Sequence, residues 1–175
     1  MKLNKFLVAA ATLGLAANAF AANVVNQGEG VIDFKGSIIV APCSIDEKET
    51  TKEVTFDQVS DSLLADGGQS APKDIKIVLT GCNNAVKSKV QTTFSGAASQ
   101  YNPDLLGISG TAEGASIVLV DGSGARLKLG AASPLVGIDN GTNVLKFSTY
   151  LLGDTAANIK AGDFTSTATW SLNYQ

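Results

Sequence analysis

Cys43 and Cys82 are the side chains whose chemistry is easiest to read in this 175-residue sequence, because the chain contains no histidine at all. Two thiols 39 positions apart, with no imidazole to join them, make a poor zinc site. The missing histidine also removes the usual general base and the partner that activates a serine or cysteine nucleophile. No Gly-x-Ser-x-Gly elbow occurs, and no phosphate-binding glycine loop is followed by a lysine. Paired carboxylates such as Asp46 and Glu47 stand among Lys48, Glu49 and Lys52, which reads as a solvated loop. Asn140-Gly141-Thr142 fits a glycosylation sequon, but Asp139-Asn140-Gly141 is sufficiently explained as a tight turn. The reading is of a chain without catalytic residues, metal or cofactor.

The amino terminus sets the compartment for the two cysteines. Lys2 and Lys5 precede an apolar run from Phe6 to Ala17, and Ala19-Phe20-Ala21 forms a small-residue cleavage site. A membrane-spanning helix needs about 20 apolar residues, and this run is shorter. Residues 1–21 are therefore expected to be a secretory signal, leaving 154 residues from Ala22 to Gln175, enough for one domain with a real core. In an exported chain an even pair of cysteines is most simply one disulfide, Cys43–Cys82. Without Lys2 and Lys5 the chain keeps 11 basic and 16 acidic residues, a formal charge of −5, which makes nucleic acid a poor partner.

The segments that would position any site read as strands. Ile75–Leu79, Lys89–Phe94, Ser116–Val120 and Val144–Tyr150 are rich in β-branched and aromatic residues, and turn residues punctuate them. Asp121-Gly122-Ser123-Gly124 predicts a hairpin, and Ser60-Asp61-Ser62-Leu63-Leu64 a capped helical turn. Residues 57–73 and 97–103 show no clean period. Short strands at this spacing predict an antiparallel β-sandwich.

Both ends of the expected mature chain alternate. Ile32, Phe34, Gly36, Ile38 and Val40 share one strand face, with Asp33, Lys35, Ser37 and Ile39 on the other. The run could be the first strand of its own sandwich, or a strand offered elsewhere. From Phe164 to Gln175 the even positions Phe164, Ser166, Ala168, Trp170, Leu172 and Tyr174 alternate with Thr165, Thr167, Thr169, Ser171 and Asn173, predicting one long strand. Trp170, Tyr101, Tyr150 and Tyr174 are the candidates for stacking on a sugar, and only Tyr101 lies outside a strand pattern.

At these residues the sequence resembles the pilin subunits of chaperone-usher fimbriae in Gram-negative bacteria. The carriers are Cys43 and Cys82, Ile75-x-Ile77-x-Leu79-x-x-Cys82, Ser116–Asp121 leading through Gly124 to Leu127-x-Leu129-Gly130, and the tail. That tail places Gly162 fourteenth from the end and Tyr174 next to last. The resemblance implies an all-β, incomplete immunoglobulin-like sandwich at residues 42–175 that lacks its final strand. It also implies a donor-strand extension at residues 22–41, with Ile32, Phe34, Gly36, Ile38 and Val40 as the inserted face.

Gly162, Phe164, Ala168, Trp170, Leu172 and Tyr174 would then border the groove that receives a strand. The implied partners are related pilin subunits, a periplasmic chaperone and an outer-membrane usher, and the implied location is a surface fimbrium. The function so implied is a structural subunit of the fimbrial shaft that polymerises; a tip adhesin is disfavoured, because 154 residues leave no room for a separate receptor-binding domain. Alternatives kept open are a minor adaptor pilin and a secreted monomeric sugar-binding sandwich.

Overall fold

The computed structural model describes residues 30–36, 38, 41–155 and 158–175. The expected signal at 1–21, the first part of the expected extension at 22–29, and Val40 of the expected inserted face lie outside the described residues. The chain divides into two units, Met1–Ile38 and Ile39–Gln175. In the first, residues 30–36 and 38 form no helix or strand, and Val31, Ile32, Phe34 and Ile38 are exposed. Alternation alone does not make a strand, because backbone N–H and C=O groups need a neighbour to pair with.

The described residues of the second unit form ten strands. These are β1 (Ser44–Ile45), β2 (Lys73–Cys82), β3 (Lys89–Gly96), β4 (Ser109–Gly110) and β5 (Ala115–Asp121), then β6 (Arg126–Leu127), β7 (Val136–Gly137), β8 (Gly141–Gly153), β9 (Phe164–Thr165) and β10 (Ala168–Tyr174). One sheet has the order β1-β2-β8-β5-β6, a second β10-β3-β7, and β4 pairs with β9 apart from both. All pairings are antiparallel. The four strands read most clearly from sequence became β2, β3, β5 and β8.

The alternation of β2 and β8 decides where the core lies. Ile75 is opposite Phe147 and Ile77 opposite Leu145, so both strands turn these side chains to the same face. There they meet Val90 and Phe94 of β3, with Cys43, Cys82 and Leu119, and the Phe94 ring meets Phe147 edge-on at 5.1 Å. β5 is buried along nearly its whole length because its other face is also covered: Val118 and Val120 pack with Leu105. A short helix, α1 (Asp61–Leu64), is capped by the Ser60 hydroxyl, which accepts from the Ser62 N–H, and its Leu64 is buried.

The predicted disulfide Cys43–Cys82 is present, with Cα atoms 4.1 Å apart. Just before Cys82 the pairing of β2 with β8 slips between Leu79 and Cys82, and Gly81 takes φ +61°, a conformation that favours glycine. The hairpin at 121–124 forms as expected. Asp121 Oδ1 accepts from the N–H groups of Ser123 and Ala125 and from the Ser123 hydroxyl.

The expectation of one strand from Phe164 to the end is corrected. The segment is two strands with different partners, β9 with β4 and β10 with β3. Ser166 and Thr167 bridge the change, and the Ser166 hydroxyl donates to the Gly107 carbonyl at 2.6 Å. The sequence period ran through this point because Phe164 before it and Trp170, Leu172 and Tyr174 after it are half-buried at even positions, although Ser166 and Ala168 between them are exposed and the backbone changes partners.

Candidate functional site: an open groove beside the last strand

β10 lies at the edge of its sheet and is paired along one side only, with β3, from Ala168 opposite Gly96 to Tyr174 opposite Val90. Its even residues Trp170, Leu172 and Tyr174 are half-buried against the core, and its odd residues are exposed. The strand therefore presents an unpaired row of N–H and C=O groups on its other edge, beside apolar side chains.

Across from β10 runs the chain that follows β1. Asp46 N–H donates to Val78 O and Thr51 N–H to Lys76 O, both at 2.9 Å, so this stretch is tied to β2. Thr50 and Thr51 complete the tie by accepting from the Val78 and Lys76 N–H groups through their hydroxyls. Beyond Thr51 the ladder stops. Residues 53–59 make no backbone hydrogen bond among the described residues, yet Val54, Phe56 and Val59 are half-buried and Glu53, Thr55 and Asp57 exposed. From residue 53 to 57 this second rim has a strand's alternation without a strand's partner, and the period breaks at exposed Gln58.

Between the rims lie two cavities that share Lys52 and Ala168 in their walls. The larger, about 930 Å³, lies over buried Leu64, Leu106, Ile117 and Leu151, and Phe164 of β9 lines it. The smaller, about 390 Å³, lies over Phe94 and Leu119 beside Trp170. Phe56 and Phe164, one from each rim, approach with ring centroids 6.0 Å apart. The lining is thus apolar within and charged at the margin, where Lys73 pairs with Asp57 at 2.6 Å and Lys160 with Glu113 at 2.7 Å.

The hydrogen bond from Lys73, reinforced by its charge, holds the Asp57 carboxyl below its usual range. The Glu113 carboxylate likewise raises Lys160. Burial alone pushes the Tyr174 phenol upward. No group of three or more His, Cys, Asp or Glu among the described residues is arranged to hold a metal ion.

Of the tail residues singled out from sequence, Phe164 and Ala168 line the larger cavity, Ala168 and Trp170 the smaller, and Leu172 and Tyr174 pack against the core further along β10. Gly162 is in the wall of the larger cavity but does something else as well. A Cβ built there would lie 2.5 Å from Thr111 Oγ1 and 2.6 Å from Ala112 N, so the glycine permits the tail to press against the turn at 111–112. Of the tyrosines, Tyr150 and Tyr174 are on β8 and β10, and Tyr101 lies in a loop. Sequence reasoning missed the second rim. Its one signal was Val54-x-Phe56, too short a period to separate from a loop.

The family model described as Fimbrial protein matches residues 32–175. The chain belongs to the fimbrial protein family. The Fimbria A protein of Serratia marcescens is 44% identical over the full length of both chains. The Major MR/P fimbria protein of Proteus mirabilis is 42% identical, again over all of both. Among solved structures, the P pilus rod subunit PapA is similar at a TM-score of 0.69 and 29% identity, over 77% of this chain and all of that one. This pilin is a structural fimbrial subunit with an immunoglobulin-like sandwich whose sheets do not close, and its place is in fimbriae on the cell surface.

Proposed function

We propose that this pilin polymerises by strand addition, the extension at residues 22–41 of one copy filling the groove beside β10 of the next. The observation that carries the reading is the groove itself, a half-paired β10 facing a second rim without hydrogen bonds across an apolar floor. An added strand would pair its backbone with β10 and seat alternate side chains below. Ile32, Phe34, Ile38 and Val40 supply four apolar side chains at that period, and Gly36 leaves a gap where rims come close. At about 1.5–3 kcal/mol for each buried side chain, four contribute about 6–12 kcal/mol before ordering costs.

Since the offered strand and the receiving groove are different surfaces, the contact is heterologous and its repetition is an open filament. The same exposed edge in an unassembled subunit is an aggregation hazard, which calls for a periplasmic chaperone to cover Phe164, Trp170, Leu172 and Tyr174 until an outer-membrane usher passes the subunit on. The names of the relatives favour a major shaft subunit. The role needs no catalysis, in keeping with a sequence without histidine.

The test is a pilin lacking residues 22–40, expressed with its chaperone. It is expected to bind the chaperone and to accept a strand from an intact copy, but to donate none. Continued growth of fibres from the truncated subunit alone would overturn the reading.

A further inference from the structure

Asn140 is the only asparagine in the sequence that is followed by glycine. It lies exposed in the turn before β8, and Gly141 takes φ +95°. Its side-chain Oδ1 accepts a hydrogen bond from the backbone N–H of Asn84 at 2.9 Å. No hydrogen bond holds its Nδ2 among the described residues. Three residues on, Asn143 is placed differently. Its Oδ1 accepts from the Asp139 N–H and its Nδ2 donates to the Asp139 carbonyl at 2.7 Å, so both ends of that amide are tied.

We propose that Asn140 is a self-modifying site, converted by its own backbone to aspartate and isoaspartate. The Gly141 nitrogen gives its proton to solvent base and bonds to Cγ of Asn140. The Cγ–Nδ2 bond then breaks, and the amide nitrogen takes up a proton and leaves as ammonia. Water opens the resulting five-membered imide at one carbonyl or the other. Net, one amide and one water become one carboxylate and one ammonium, with no redox step and no co-reactant beyond solvent.

Two features of the fold favour the step. Glycine leaves the attacking nitrogen unhindered, and nucleophile and carbonyl are one residue apart, so the reaction is unimolecular. The Asn84 N–H points at the oxygen on which negative charge grows as the nitrogen adds, and a fixed donor there stabilises that charge. Asn143 lacks the unhindered neighbour, since Val144 follows it, and its leaving nitrogen is engaged. Each conversion puts a new carboxylate beside Asp139 and makes the already acidic subunit more so, and in a fibre that is not rebuilt the change accumulates with age.

The experiment uses purified, folded pilin in mildly alkaline buffer, sampled over weeks and digested with trypsin. Cleavage after Lys128 and Lys146 puts Asn140 and Asn143 on one peptide, so each is the other's control. The expected result is a gain of one mass unit at Asn140, split into aspartate and isoaspartate forms, with Asn143 intact and no gain in Asn140→Gln. Conversion of neither residue, equal conversion of both, or reaction at Asn140 only after unfolding in urea would each overturn the proposal.

Discussion

Replacing Gly162 with alanine tests the contact between the tail and the turn at 111–112. The glycine does not use a left-handed backbone, so its conformation is open to alanine. Were there room, the substitution would stabilise by about 0.4–1 kcal/mol, because the unfolded chain loses freedom. There is no room, since the new Cβ would meet Thr111 Oγ1 at 2.5 Å, Ala112 N at 2.6 Å and the Thr111 carbonyl carbon at 2.7 Å. Two of those three atoms are backbone and cannot swing aside. Overpacking of this kind costs about 1–3 kcal/mol, so the net effect is a loss.

The assay is urea unfolding followed by the fluorescence of Trp170, the only tryptophan and half-buried on β10. With about 2–4 °C of melting temperature per kcal/mol for a domain this size, a thermal scan should also fall by several degrees. Gly137→Ala is the control, since a Cβ there meets nothing within 4 Å. An unchanged or raised midpoint for Gly162→Ala would refute the steric argument and return Gly162 to the role of a mere groove border.

Changing both Cys43 and Cys82 to serine opens a loop spanning a separation of 39 residues, which by chain entropy costs about 4 kcal/mol and is checked by the same unfolding curve. Hydrogen bonds led by the Ser123 hydroxyl lower Asp121 from the usual 3.8. Its contribution is therefore complete above that value and lost as pH falls below it, so the acid limb of stability should flatten in Asp121→Asn. Tyr174 is shifted the other way, above 10.0 by burial, so its contribution is full below pH 10 and is lost as pH rises past that. Tyr174→Phe should remove that alkaline loss in a pH series of unfolding midpoints. Sodium chloride should leave stability nearly unchanged, because the Lys160–Glu113 and Lys73–Asp57 pairs are open to solvent, where water and salt screen them and little stability is gained.

The core strands were legible because β-branched runs bounded by turn residues have few other ways to fold, and β2, β3, β5 and β8 followed that logic. So did the turns, whose residues hydrogen-bond to their own neighbours, as Asp121 does. One side of the groove could be read from the alternation of Trp170, Leu172 and Tyr174. The other could not: Val54, Phe56 and Val59 owe their burial to tertiary position rather than to a paired ladder, and residues between them are polar. The break at Ser166–Thr167 was equally hidden, since a change of backbone partner leaves the side-chain pattern intact. Gly162 looked like part of a border, and only the closeness of Thr111 and Ala112 reveals its packing role.

The disulfide has a mechanical consequence. In a fibre joined through its extensions as proposed, tension would enter each domain at residue 42 and meet Cys43 at once. β1 has only two residues and would yield first, but the load is shunted through sulfur to Cys82 at the end of β2. β2 is zipped to β8 along its length, in the middle of the larger sheet. The chain between the two cysteines is thereby withheld from stretching, about 130–140 Å of contour that a pulled subunit never releases.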